Sequence, residues 1–270
     1  MKKLLVATAL IAGLATASAS AADLKMITKA PPPPPPSPFD VVFGTAFTTD
    51  YELRGISQTN HKPAVQGYFE GDYKATDWLT VYAGLWGSNV SFADAEFDIS
   101  GGGRFSWGNF GLDVGFVYYA YPAGGGIDYG EAYAKPSYKF NDWLSVGATV
   151  IGGNNFGNLG QSAWYYAGNA TVTLPQFTPI GITTTISGEV GRQTYDSTLN
   201  SALFGFVDYT TWNVGVAFNY KAITLDLRYW DTDISSTSAP VQCFATTGTD
   251  LCDGRFVATL KFDTSLSALK

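Results

Sequence analysis

From Thr211 to Tyr220 the chain alternates without interruption. Trp212, Val214, Val216, Phe218 and Tyr220 share one parity, and Thr211, Asn213, Gly215, Ala217 and Asn219 share the other. Successive side chains of a β-strand point to opposite faces, so this stretch makes a strand with one apolar and one polar side. The pattern recurs in Ile223, Leu225, Leu227 and Tyr229 against Thr224, Asp226 and Arg228, and in Leu112, Val114, Phe116 and Tyr118 against Asp113 and Gly115. Turn signals divide the chain into twelve such segments, at about 41–54, 64–74, 79–90, 95–105, 110–121, 129–140, 143–153, 162–174, 182–195, 209–220, 223–230 and 254–266.

An even number of short strands suits a closed transmembrane antiparallel β-barrel, and the connections support it. Every second one is short: 75–78, 106–109, 141–142, 175–181 and 221–222. The others, 55–63, 122–128, 154–161, 196–208 and 231–253, are longer and polar or Gly-rich, with 91–94 as a short exception. Tight turns at one end and long loops at the other are the asymmetry of an outer-membrane barrel, with its turns and termini in the periplasm. Asp77-Trp78 and Asn141-Asp142-Trp143 repeat at two such turns and Trp107 lies at a third, while Trp164 and Trp212 fall near the opposite strand ends. Indole rings at both levels make two interfacial girdles.

Charge separates by parity, which is the sharper test because a lipid-facing position accepts charge only at a cost that a watery lumen does not impose. Glu52, Arg54, Glu70, Asp72, Glu96, Asp98, Arg104, Asp113, Glu131, Lys135, Glu189, Asp226, Arg228, Arg255 and Lys261 all fall on the inward parity and are the candidate pore-lining residues. Arg192 departs from the rule near the outer end of its strand, where the cost falls. Buried together in a compact soluble barrel, so many ions would cost several kcal/mol each. Twelve strands enclose more than side chains alone fill and less than a wide pore, so the expectation is a narrow channel. A closed network of the same charges, plugging the barrel, is the competing expectation.

Composition agrees with an all-β chain: 30 glycines, 14% charged residues and a single His in 270 residues. Residues 1–21 read as a signal peptide, with Lys2 and Lys3 before the apolar stretch Leu4 to Leu14 and Ala19-Ser20-Ala21 at the cleavage site. Residues 22–40, with Pro31 to Pro36 and Pro38, read as a polyproline II periplasmic linker, and 41–266 as the barrel. The net charge of −7 falls to about −9 once Lys2 and Lys3 leave, which disfavours nucleic acid as a partner.

Little else carries chemistry. Cys243 and Cys252 are expected to form a disulfide within one loop; a metal site or reactive thiol is the alternative, although His61 is distant and gives zinc no evident ligand set. His61 stands beside Lys62 and Pro63 with no nucleophile motif, so no enzyme is expected. Gly101-Gly102-Gly103 and Gly124-Gly125-Gly126 lack the strand-to-helix context and Lys of a phosphate loop. No cofactor or metal is predicted.

Three blocks, Thr49-Asp50-Tyr51-Glu52-Leu53-Arg54-Gly55-Ile56-Ser57-Gln58, Pro63-Ala64-Val65-Gln66-Gly67 and Tyr82-Ala83-Gly84-Leu85-Trp86-Gly87-Ser88-Asn89-Val90, resemble the TorF family of outer-membrane porins. Weaker similarity continues through Asp208 to Gly215 and Tyr229 to Asp233. The resemblance implies an outer-membrane barrel with a transport function, and it places Glu52 and Arg54 in a matching block. The chain departs from the usual aromatic terminus, because eight residues follow Phe262. The expectation is a passive diffusion channel for ions or small hydrophilic solutes, embedded in outer-membrane lipid as a monomer or homo-oligomer. The alternative is a closed barrel that binds a partner through its loops or proline-rich stem.

Overall fold

The computed structural model describes residues 37–176, 181–196, 205–239, 242–243 and 248–269. Residues 1–21, expected to be a signal peptide, and most of the proline-rich segment lie outside the described residues. Twelve strands form one closed antiparallel barrel: β1 (Phe39–Thr48), β4 (Ala64–Lys74), β5 (Leu79–Ser88), β6 (Glu96–Trp107), β7 (Phe110–Ala120), β8 (Tyr129–Lys139), β9 (Leu144–Gly153), β10 (Ala163–Thr173), β11 (Thr183–Tyr195), β12 (Tyr209–Tyr220), β13 (Ile223–Thr232) and β14 (Arg255–Ser265). Each strand pairs with its neighbours in sequence, and β1 closes the ring on β14 through a register running from Val42↔Ser265 to Thr48↔Thr259. Closure satisfies every edge, which is the condition for crossing lipid with strands. Two further short strands, β2 (Glu52–Leu53) and β3 (Ile56–Ser57), form a separate ribbon.

The outer surface is the apolar parity: Phe47, Phe69, Ile99, Phe116, Val190, Val214, Phe256 and Leu260 are each more than half exposed. Large apolar side chains left uncovered around a whole barrel suit hydrocarbon and not water. Trp78, Phe105 and Trp107 stack at the turn end, with Trp78 and Trp107 centroids 6.2 Å apart. Pro136 sits inside β8, where it donates no ladder bond. Its pairing with β9 is interrupted between Ala134↔Val150 and Ser137↔Gly147.

The first strand is shorter than the alternation predicts. A strand to residue 54 was expected, but β1 leaves the wall at Thr48, whose hydroxyl donates to Asp50 O at 2.7 Å. The chain then folds inward as the β2–β3 ribbon. Its turn takes Arg54 at φ 53° and Gly55 at φ 83°, the left-handed pair a two-residue hairpin requires. Alternation cannot distinguish a strand that continues along the wall from one that bends into the lumen.

Candidate functional site

The loop between β1 and β4 crosses the barrel at its long-loop end. Asp50 anchors it: one carboxylate oxygen accepts hydrogen bonds from the Ser57 and Thr59 hydroxyls, each at 2.7 Å, and the other lies 3.3 Å from Arg255 Nη1. Arg255 Nη1 also pairs with Glu52 at 3.1 Å. The tip reaches the far wall. Arg54 donates to Gln193 on β11 at 2.8 Å and pairs with Glu131 on β8 at 2.5 Å, while Tyr209 on β12 donates to its carbonyl at 3.1 Å. A Cβ on Gly55 would lie 2.4 Å from Thr211 Oγ1, so the turn fits against that wall only as glycine.

A second loop, between β13 and β14, lies over the first. Cys243 and Cys252 are disulfide-bonded and pack with Ile56, and Ser57 N donates to Leu251 O at 3.0 Å. Asp250 stands close enough to both sulfurs to suggest a metal cluster, but the disulfide removes the thiolates such a site needs. Burial raises the Glu52 carboxyl from its ordinary 4.5 to about 8, outweighing the attraction of Arg255. One of its oxygens has no partner.

Around the plug and below it, the two sides of the lumen differ. The β6–β12 side is filled by tyrosines. Tyr119, Tyr129 and Tyr165 are buried, Tyr119 and Tyr129 stack at 4.7 Å, and Tyr165 donates to Glu189 at 2.8 Å. Lys135 lies over the Tyr133 ring, 4.4 Å from its centroid. Tyr51 of the plug donates to Glu96 at 2.9 Å, beside Asp98, one of whose oxygens is unpartnered. Nearer the turn end Arg104 holds Glu70 at 2.7 Å, Asp72 at 3.2 Å and Asp113 at 3.5 Å.

The β13–β14–β1–β4 side is open. A cavity of about 190 Å³ is lined by Asp50, Glu52, Asp226, Arg228, Lys261 and neighbours. A second of about 280 Å³ shares Gln66, Trp86 and Lys261 with it and adds Tyr68 and Asp263. Arg228 is held to Asp226 at 3.0 Å and donates to Asn213 at 2.6 Å and Ser187 at 2.8 Å, so its guanidinium is fixed against the wall.

The residues singled out from sequence therefore fall into separate groups. Glu70, Asp72, Arg104 and Asp113 form one cluster, and Asp226, Arg228 and Lys261 another. Glu52 and Arg54 do not face the lumen from the wall, and they pair with Arg255 and Glu131 instead of with each other. Parity also reaches Asp263, on the same face of β14 as Lys261, and the inward tyrosines, none of which is among the candidates read from sequence. Asp50, Ser57 and Thr59 carried no periodic signal. Arg192 points outward at the loop end, 3.9 Å from Asp208 and 3.7 Å from Asp233. The His61 imidazole has no nucleophile hydrogen-bonded to it among the described residues. Burial and the nearby Arg255 lower its pKa below the ordinary 6.5.

The model of a family described as bacterial proteins of unknown function matches residues 33–262. The chain belongs to the Gcw_chp family. The Gcw_chp match takes in all of the barrel except the last three residues of β14. No functionally curated protein matches the sequence. Among solved structures, a membrane protein studied for the mechanism of in-meso crystallization superposes with a TM-score of 0.51 at 10% identity, covering 84% of each chain. The KdgM porin follows at 0.48 and 10%, covering 83% of this chain and 98% of that one. An outer-membrane channel from Pseudomonas putida F1 gives 0.44 at 12%, covering 86% and 96%. At these identities the likeness concerns the fold of the Gcw_chp barrel.

Proposed function

We propose that this protein is a narrow outer-membrane channel that passes ions or small hydrophilic solutes down their gradients, its turn end periplasmic and its long loops outside. The observation that carries the reading is the pair of neighbouring cavities on the β13–β14–β1–β4 side, which share Gln66, Trp86 and Lys261 in their walls and are lined by charges of both signs. A passage walled by fixed charges lowers the cost of moving an ion through a low-dielectric barrel, and its balance of signs sets preference. Acidic residues outnumber basic ones among the inward charges, which favours weak cation selectivity. The resemblance of Thr49 to Gln58 to the TorF porins supports the same reading, with export through the periplasm after loss of residues 1–21 and with no enzymatic activity. The outward apolar face would be covered by lipid or by a second copy of the chain.

Conductance of the refolded protein in a planar bilayer under a salt gradient tests this. Discrete steps of small amplitude, with a reversal potential that moves toward cations in Lys261→Glu, are expected; inserted protein that never conducts would sink the channel reading. A second reading, a closed barrel that binds a partner at its loops, is favoured by the plug itself, because Arg54 spans the lumen to Glu131. Under that reading the inserted protein stays silent even when the plug is released by Gly55→Val.

A further inference from the structure

On the loop side of the plug, facing away from the lumen cavities, lies a separate cavity of about 390 Å³. Its floor is the outer face of the β2–β3 ribbon. Phe92, Tyr121, Tyr129, Phe156, Tyr195 and Phe206 surround it, brought together from four different loops and strand ends. The rings support one another: Tyr129 and Phe156 centroids are 5.0 Å apart, Phe156 and Tyr195 5.5 Å, Tyr195 and Phe206 5.0 Å, and Phe92 and Tyr121 5.4 Å. The polar side chains at the floor and rim are already engaged. Arg54 is neutralised by Glu131 and bonded to Gln193, the Gln58 amide donates to Ile56 O at 2.9 Å, and Gln242 accepts from Val207 N at 2.7 Å.

A concavity of this size lined by aromatic rings, with few free polar groups, selects for an apolar, planar guest. A sugar would need hydrogen-bond partners that this floor has already spent on itself, and an ion would have to surrender its hydration to a neutralised arginine. We infer that the loop-end mouth is a binding site for an uncharged aromatic molecule of one or two rings, stacked among Phe156, Tyr195 and Tyr129 and resting on the Leu53–Ile56 ribbon. The guest would sit directly on the plug. The site is formed by the loops whether or not the lumen conducts, so it stands apart from the channel reading.

The test is equilibrium dialysis of indole against the full protein in lipid nanodiscs, with empty nanodiscs to subtract partition into lipid. Saturable binding near one indole per chain is expected, weakened about tenfold or more in Phe156→Ala, which removes a stacking face, and lost in Ile127→Trp, which fills the cavity instead of emptying it. Heat-modifiable migration shows that each variant retains the barrel. Indole uptake no greater than by empty nanodiscs overturns the inference, as does saturable binding indifferent to both substitutions. Saturable binding of cellobiose in place of indole also overturns it.

Discussion

Arg54 and Glu131 form an ion pair across the lumen, 2.5 Å from Nη2 to Oε2, between a loop that leaves β1 and a strand five places away in a ring of twelve. Both side chains are almost wholly buried, so the pair is a latch that exists only while the loop lies inside the barrel. Breaking a buried pair by removing one partner leaves an uncompensated charge, at a cost of about 3–5 kcal/mol.

Glu131→Gln should therefore release the plug without disturbing the wall. Single-channel recording is expected to show larger and more frequently fluctuating steps than the parent, with normal heat-modifiable migration. Unchanged conductance in an inserted Glu131→Gln protein would mean that Arg54 is held by Gln193 and Tyr209 alone.

Glu52 gives the plug a pH dependence. Its carboxyl titrates at about 8 in the docked loop against an ordinary 4.5. The docked state therefore holds the extra proton, and docking is strongest below about 4.5 and weakens as pH rises through about 8. Open probability measured from pH 5 to pH 9 should rise over that window, and Glu52→Gln should flatten the rise. A parent protein that opens instead on acidification would contradict the assignment.

The Cys243–Cys252 disulfide packs against Ile56 and so holds one loop over the other. Closing a short loop of this kind contributes about 2–4 kcal/mol. Replacing both cysteines with serine should speed proteolysis within 233–254 at least severalfold while leaving the barrel resistant to protease, read by mass spectrometry of the fragments. Equal cleavage rates would show that Ser57 and Leu251 suffice to hold the loop.

Gly102 and Gly115 face each other across β6 and β7 on the lumen side, and the hydroxyls of Tyr82 and Tyr133 meet above them. A Cβ on Gly102 would come within 2.3 Å of Val114 O and 2.7 Å of the Tyr82 hydroxyl. Gly102→Ala is expected to cost about 1–3 kcal/mol through overpacking, seen as a lower urea midpoint for unfolding from detergent, whereas Gly168→Ala, whose Cβ meets nothing within 4 Å, should leave the midpoint unchanged.

Alternation along one chain was enough to determine the wall. It set which residues of β12 and β13 point outward, put Glu70, Asp72, Arg104 and Asp113 on the inward side, and counted twelve strands, because side-chain direction in a strand follows residue number alone. The bend at Thr48, the reach of Arg54 to Glu131, and the division of the lumen into a tyrosine-filled side and an open one were decided by tertiary structure. Those features depend on which strands face each other across the barrel, and on loops whose course is set by Asp50, Ser57 and Thr59 hydrogen bonds with no period to read. A residue's parity says that it points inward; only the closed ring says what it meets there.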